Sequence, residues 1–217
     1  MKIKLSDSYF VFDLDDTIYN EIDYKISGIN YLVQQISQIY GCSLESSSFY
    51  NVDNFIQEIQ AQLDLPEEVA QSYLWKYRLH IPKISMNKDN EDMLSYINKN
   101  SSGIAILTDG RSITQRQKIK ALGLEDIPLY ISEEYGSEKP DAKRFKIIES
   151  TNQSLNYIYV GDNISKDFIT PNNMGWITFG IKDNGLNIHK QNMSDFSKDY
   201  LPNFWIDTIA DLKQYFH

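Results

Sequence analysis

The chain has 217 residues, enough for one full domain or for one domain with a small insertion. Hydrophobic residues make up 41% and charged residues 24%, as in ordinary soluble globular proteins. The formal net charge of −9 disfavours nucleic acids and anionic membranes as partners, because like charges repel.

The chain carries a single cysteine, Cys42, so an internal disulfide is impossible and no oxidising compartment is indicated. The apolar run at 9–12 is too short for a signal-peptide core, and no later stretch approaches the length of a membrane span. We therefore expect a cytoplasmic protein, a monomer or a homodimer, with no nucleic-acid or membrane partner.

Short runs of strand-favouring residues recur along the chain, and each ends at a polar residue or a glycine. Continuous apolar runs of this kind are typical of strands buried on both faces, as in a parallel sheet. The predicted strands span 9–12, 103–107, 128–131, 157–160 and 176–179.

Helical patterns separate these runs. Ser112 is predicted to cap a helix that Gly123 ends, and Pro140 to occupy the first turn of a helix over 142–150. Thr208 is predicted to cap a closing helix over 209–215. This alternation predicts an α/β protein with a Rossmann-like, doubly wound parallel sheet.

The segment from about 20 to 82 lacks a strand pattern and instead places apolar residues at helical spacing. We predict an inserted α-helical cap over 19–83, with 1–18 and 84–217 forming the catalytic core. An insertion that leaves directly after a candidate catalytic loop suits a lid over the substrate. A helical layer packed on the sheet is the alternative.

The string Asp13-Leu14-Asp15-Asp16-Thr17 places two carboxylates, Asp13 and Asp15, just after the first predicted strand. Alone, such a string also suits a solvated acidic turn. Four later residues favour a catalytic site over a solvated turn, because ligands of open α/β sheets bind outside the carboxyl ends of the strands. These residues follow or flank later strand ends: Thr108, Lys139, Asp162 and Asp167.

Carboxylates gathered in one crevice repel each other, by about 4 kcal/mol for a pair 4 Å apart at an effective dielectric near 20. One lysine cannot balance four acids and a phosphate, so the pattern calls for a cation. Oxygen-rich sites suit Mg²⁺, which is therefore the expected cofactor.

The motifs FDLDDT, ILTDG, SEKPD and VGDNISKD, in this order, resemble those of the haloacid dehalogenase (HAD) superfamily in its phosphatase branch. The inserted segment resembles the α-helical cap of the first type in that superfamily. The resemblance implies that Asp13 is the nucleophile that forms an aspartyl phosphate. It implies that Asp15 is the general acid and then the general base, and that Thr108 and Lys139 bind the transferring phosphoryl group.

The resemblance also implies a metal site. Its expected protein ligands are the Asp13 carboxylate, the Asp15 carbonyl oxygen and Asp162, with Asp167 orienting Lys139 or a metal-bound water. Asp167 is equally well explained as an acid near a helix start. Substrate contacts are expected from Thr108, Asp109, Lys139 and Arg111, although Arg111 also suits a solvent-facing position.

The predicted function is a Mg²⁺-dependent phosphomonoesterase that acts on a small phosphorylated metabolite, of the nucleotide or sugar phosphate class. Asp15 argues against dehalogenases, which lack this acid, and the lysine-poor cap argues against phosphonatases. A sugar-phosphate mutase of the same superfamily remains an alternative. So does a non-catalytic module that binds or accepts phosphate, such as a response-regulator receiver, although receivers lack the helical insertion.

Overall fold

The computed structural model describes residues 2–217. Within that range, six parallel strands form one sheet in the order β3-β2-β1-β4-β5-β6. The strands are β1 Ser8–Phe12, β2 Gly103–Thr108, β3 Leu129–Ile131, β4 Asn156–Gly161, β5 Ile177–Ile181 and β6 Phe204–Ile206.

Four α-helices lie between the first two strands, and further helices connect later strands. They are α1 Glu21–Tyr40, α2 Phe55–Gln62, α3 Val69–Arg78, α4 Lys88–Asn100, α5 Ser112–Ala121, α6 Ser132–Tyr135, α7 Lys143–Thr151 and α8 Ile169–Asn173. Among the described residues, no helix is both long and apolar enough to cross a membrane. The predicted fold class, a Rossmann-like α/β sheet, is confirmed.

Residues of β1 alternate between two apolar layers, because successive side chains of a strand point to opposite faces. Phe10 and Phe12 pack on the side of α4 and the C-terminal segment. Tyr9 and Val11 pack on the side of α7 and of Phe168, which precedes α8. The central strand is therefore buried on both faces, which explains its continuous apolar sequence.

Helices α1, α2 and α3 share an apolar cluster of their own, distinct from the two layers on the sheet. Ile29, Leu32 and Ile36 lie on one face of α1 and are buried there against side chains of α2 and α3. The three helices fall inside the insertion predicted between the first two strands. The boundaries at 19 and 83 and the lid role stay predictions.

Several local predictions need correction. Ser112 is the first residue of α5 rather than its cap, and its amide instead donates to the Glu133 carboxylate at 2.7 Å. Pro140 lies ahead of α7, which begins at Lys143. The closing segment Ile209–Tyr215 is a 3₁₀ helix, although Thr208 does form the predicted cap. Strand β6 and most of α4 were not predicted.

Replacing Ile36 by Ala tests the apolar cluster of the inserted helices. Ile36 is fully buried, so its loss leaves a cavity and should lower the free energy of unfolding by about 2–5 kcal/mol. Ile39 lies on the same helix but is 61% exposed, so Ile39→Ala should change that free energy by less than about 0.5 kcal/mol. Urea denaturation measures both, and equal losses would contradict the assigned packing.

Candidate active site

The polar residues singled out in the sequence meet at the carboxyl ends of three neighbouring strands. Asp13 follows β1, Thr108 is the last residue of β2, and Asp162 follows β4. These strands lie side by side with β1 in the centre. Because parallel strands end at the same edge of the sheet, the three side chains line one crevice.

Lys139 holds this crevice together. Its ammonium nitrogen lies 2.7 Å from Asp13 Oδ1 and 2.7 Å from Asp167 Oδ1, and its side chain is fully buried. The nitrogen also donates to the Tyr159 hydroxyl at 3.1 Å. Burial alone would lower the pKa of Lys139, but Asp13 and Asp167 outweigh it and raise the pKa well above its usual value. Lys139 is therefore a charged lysine whose own side chain is shielded from solvent.

Asp167 is fixed from its other side by the backbone. Its Oδ2 accepts the amide hydrogens of Asp162 at 3.1 Å and Asn163 at 2.8 Å. This contact requires a glycine at 161, because a Cβ there would lie 2.6 Å from the same oxygen. The carboxylate thus ties the loop after β4 to Lys139.

The buried acids fit a divalent cation. One carboxylate oxygen each from Asp13, Asp162 and Asp167 lies within 4.8 Å of the others, while Lys139 supplies one compensating positive charge. Burial raises the pKa of Asp13 to about 7, even though Lys139 acts in the opposite direction. Burial, followed by repulsion from Asp167 and Asp13, raises the pKa of Asp162 to about 9. Such an excess of buried carboxylate is what a cation with oxygen ligands stabilises.

Asn187, in the loop after β5, supports this cluster and was not found from the sequence. Its buried side-chain amide donates to Asp162 Oδ2 at 2.9 Å. Gln191 in the same loop donates to the Asp162 carbonyl oxygen at 2.8 Å. These contacts fix the orientation of Asp162, as second-layer partners of metal ligands commonly do.

Asp15 belongs to the same loop as Asp13, but its carboxylate has different partners. Lys118 lies 2.7 Å from its Oδ1, and the Tyr19 hydroxyl donates to that oxygen at 2.5 Å. Gln115 donates to Asp15 Oδ2 at 2.9 Å and to Thr108 Oγ1 at 2.6 Å. Burial raises the pKa of Asp15, but Lys118 and the other donors outweigh it, so the pKa is lowered overall.

Gln115 and Lys118 belong to no motif in the sequence, although one feature of α5 pointed to them. Both lie on the buried face of α5, together with Ile119. Polar side chains at core-facing helix positions are uncommon unless they have polar partners there. The unusual composition of this face was therefore the available clue.

The carboxylate of Asp16, in the same loop, binds backbone amides and does not join the cluster of Asp13, Asp162 and Asp167. Its Oδ1 accepts the amide hydrogen of Glu21 at 2.8 Å, where α1 begins, and its Oδ2 accepts that of Ile188 at 2.9 Å. Its φ of 53° lies in the left-handed region, which aspartate tolerates better than most residues. Asp16 thus fastens the start of the inserted helices to two parts of the core.

Asp109 and Arg111 have structural partners of their own. Asp109 forms an ion pair with the fully buried Arg144 and another with Lys166 at 3.3 Å. Its carboxylate also accepts the amide hydrogen of Lys139 at 3.2 Å, which positions the lysine backbone. Arg111 instead pairs with Glu133 at 2.7 Å, and its side chain is 61% exposed. The substrate contacts predicted for these two residues stay predictions.

The chain is similar to a hydrolase family and to proteins named as phosphatases. A family model described as haloacid dehalogenase-like hydrolase matches residues 10–181. A glyceraldehyde 3-phosphate phosphatase from Methanocaldococcus jannaschii is 22% identical over 224 residues, which cover 94% of this chain and 97% of the relative. A glyceraldehyde 3-phosphate phosphatase from Methanopyrus kandleri is 31% identical over 115 residues, covering 50% of this chain and 47% of the relative.

Among solved structures, a magnesium-bound HAD hydrolase from Bacillus subtilis shares the fold. Its TM-score is 0.64 at 15% sequence identity, and the match covers 96% of this chain and 98% of that protein. At this level of identity the likeness concerns the fold alone.

Replacing Arg144 by Met tests the support beneath the crevice. The guanidinium donates to the carbonyl oxygens of Thr108 and Tyr130 and pairs with Asp109. Its loss leaves these two buried carbonyl oxygens without that donor and Asp109 with Lys166 as its remaining ion-pair partner. The free energy of unfolding should fall by about 3–5 kcal/mol. Arg111→Ala is the matched control and should leave that energy nearly unchanged, because its ion pair is exposed. Chemical denaturation compares them, and a negligible loss for Arg144→Met would refute this role.

Proposed function

The chain belongs to the haloacid dehalogenase-like hydrolase family, and we propose that it is a Mg²⁺-dependent phosphomonoesterase that works through an aspartyl phosphate on Asp13. The carrying observation is the buried contact of Lys139 with both Asp13 and Asp167, beside Asp162. The proposed substrate is a small sugar phosphate. The cytoplasmic location and the oligomeric state stay predictions.

In the first step, a carboxylate oxygen of Asp13 attacks phosphorus and the ester P–O bond breaks. The leaving oxygen takes its proton from Asp15. Because Lys118 and the neutral donors lower the pKa of Asp15, this proton has to arrive with the substrate, bound as the monoanion of the phosphate ester, and pass through Asp15 to the leaving oxygen. Water then attacks the phosphorus of the aspartyl phosphate, gives its proton to Asp15 and releases phosphate. The Asp13 carboxylate is thereby restored.

Charge stabilisation supplies most of the acceleration in phosphoryl transfer. Lys139 contributes a fixed positive charge next to the attacking carboxylate, 2.7 Å from Asp13 Oδ1. Thr108 contributes a hydroxyl at the neighbouring strand end, held there by Gln115. Both groups are held by contacts within the protein, so little reorganisation of them would accompany the reaction.

Asp13 and Asp162, with the Asp15 carbonyl oxygen, are the proposed ligands of Mg²⁺. When bound, the cation neutralises negative charge on the carboxylates and on the transferring phosphoryl group. Burial and repulsion between the acids raise the pKa of Asp13 to about 7 and that of Asp162 to about 9, which favours their neutral forms. A bound cation would offset this repulsion and keep both acids ionised, as ligands must be. Asp167 is already occupied by Lys139 and two backbone amides, which favours a supporting role for it.

The substrate class rests on the relatives. Two archaeal proteins that resemble this chain are glyceraldehyde 3-phosphate phosphatases, and one of them aligns with 94% of this chain. We therefore favour a short sugar phosphate over a nucleotide.

Replacing Asp13 by Asn tests the nucleophile. An amide cannot form the acyl phosphate, so phosphate release should fall at least about 10⁴-fold. Release would be measured from glyceraldehyde 3-phosphate and from 4-nitrophenyl phosphate, with Mg²⁺ and with EDTA. The fold should survive, because Lys139 retains Asp167 as its partner.

The matched control for Asp13→Asn is Asp126→Asn, an exposed acid outside the crevice, which should retain wild-type turnover. Substantial activity of Asp13→Asn would refute Asp13 as the nucleophile. Interconversion of sugar phosphate isomers without net release of phosphate would instead indicate a mutase.

Replacing Asn187 by Ala tests the metal site. Asp162 loses the donor that orients it, so the Mg²⁺ concentration for half-maximal activity should rise about 10–100-fold. The Mg²⁺-dependent increase in melting temperature should also need more metal. Asn184→Ala, on an exposed position of the same loop, should leave both unchanged. Equal metal affinity in the two variants would contradict the assignment of Asp162 and its support by Asn187.

A further inference from the structure

Lys118 is a buried lysine on α5 that the proposed chemistry does not yet use. Its side chain is only 4% exposed, and its ammonium nitrogen lies 2.7 Å from Asp15 Oδ1. The nitrogen also lies 4.4 Å from the ring centre of Tyr24, over the ring face. Removing an ammonium group from water is costly, so a buried lysine needs specific partners of this kind.

Within the described residues, Lys118 is the cation that contacts Asp15. The other side chains bound to this carboxylate, Tyr19 and Gln115, are neutral donors. Together the three side chains engage both carboxylate oxygens. The carboxylate is therefore held in one orientation, and Lys118 supplies the charge that compensates for its burial.

The second contact of Lys118 comes from the inserted helices. Tyr24 lies in the first turns of α1 and is buried there. Its ring packs at 5.6 Å against Tyr77 of α3 and at 4.9 Å against His80, which follows that helix. Lys118 thus joins a core carboxylate to an aromatic cluster of the inserted segment.

From these contacts we infer that Lys118 is a positioning residue for Asp15, and that the Tyr24 ring couples the placement of Asp15 to the inserted helices. The inference rests on the proposed function, because it concerns the residue that exchanges protons in that reaction. Lys118 does not touch the substrate in this assignment. Its ammonium is enclosed by Asp15 and Tyr24, in contrast to Lys166, whose side chain is 30% exposed.

The effect of a misplaced Asp15 on kcat/KM depends on the leaving group of the substrate. A sugar alkoxide is a poor leaving group and needs a proton from Asp15, whereas 4-nitrophenolate leaves readily without one. The value of kcat/KM reports the steps up to departure of the leaving group, before the aspartyl phosphate is hydrolysed. A misplaced Asp15 therefore lowers kcat/KM much more for the sugar phosphate than for the aryl phosphate.

The experiment compares Lys118→Met with wild type on glyceraldehyde 3-phosphate and 4-nitrophenyl phosphate. For the sugar phosphate, kcat/KM should fall about 100-fold, the size expected when a catalytic group is misplaced by about 1 Å. For the aryl phosphate, the loss should be at least about 10-fold smaller. The control Lys120→Met, an exposed lysine on the same helix, should leave both values unchanged.

Combination with Asp15→Asn shows whether Lys118 acts through Asp15. In that background, adding Lys118→Met should change kcat/KM for the sugar phosphate less than about twofold, because the group that Lys118 positions is already absent. A full 100-fold further loss would show that Lys118 acts elsewhere. Equal losses for the two substrates in the single variant would indicate a general structural role and overturn the inference.

Tyr24 variants keep the test decisive if Lys118→Met fails to fold. Tyr24→Phe retains the ring face and should keep the wild-type ratio of the two kcat/KM values, while Tyr24→Leu should lower that ratio several-fold. Identical ratios for both variants would overturn the coupling to the inserted helices. Turnover by wild type that is lost in Asp13→Asn establishes the proposed function separately. Absence of turnover in wild type would refute that function, and the role of Lys118 with it.

Discussion

Lys139 is buried with its ammonium 2.7 Å from a carboxylate oxygen of Asp13 and 2.7 Å from one of Asp167. Much of the crevice is arranged around this one charge. Asp167 can lie beneath the loop after β4 because β4 ends in a glycine at 161 and the loop donates two amide hydrogens to the carboxylate. Tyr159, on β4, contacts the same ammonium from within the sheet. A lysine without these partners could not stay charged in a dry site.

The proposed substrate is an anion and the protein has a net charge of −9, so the site needs positive charge of its own. Three buried cations offset part of the negative charge of the acids at the site. Lys139, Lys118 and Arg144 are buried, and each is paired with an acid of the loops that follow β1 or β2. Long-range repulsion by the surface is screened by salt over about 10 Å, whereas charges inside the crevice act at close range. Local arrangement therefore outweighs net charge at this site.

The loop after β1 shows how one short acidic string serves three purposes. The side chains of Asp13, Asp15 and Asp16 turn in different directions: to Lys139, to Lys118 and Gln115, and to backbone amides. The loop also leads directly into α1, so the acids and the inserted helices share one anchor. Lys118 connects this loop to the inserted helices a second time, because it contacts both Asp15 and Tyr24 of α1.

The sequence by itself determined most of the sheet and the helices between its first two strands, and it predicted part of the candidate site. Continuous apolar runs are a local consequence of burial on both faces, and parallel strands bring the residues after them to one edge, so Asp13, Thr108 and Asp162 could be assembled without coordinates. Strand β6 was not predicted, because it is only three residues long and half-buried and so has no continuous apolar run. The spacing of apolar residues in the last helix did not distinguish an α-helix from the 3₁₀ helix that the structure has there.

Only the tertiary structure decided which side chain pairs with which. Lys118 and Asp15 are 103 positions apart, and Asn187 and Asp162 are 25 apart. Pairings over such distances are set by how α5 and the loop after β5 pack on the sheet edge. Asp109 and Arg111 are only two positions apart in the chain, yet the same packing places them differently. Asp109 pairs with the buried Arg144, whereas Arg111 pairs with Glu133 on the surface. A motif specifies which chemical groups are present, whereas their partners follow from the free energy of burying each charge, and that depends on the whole fold.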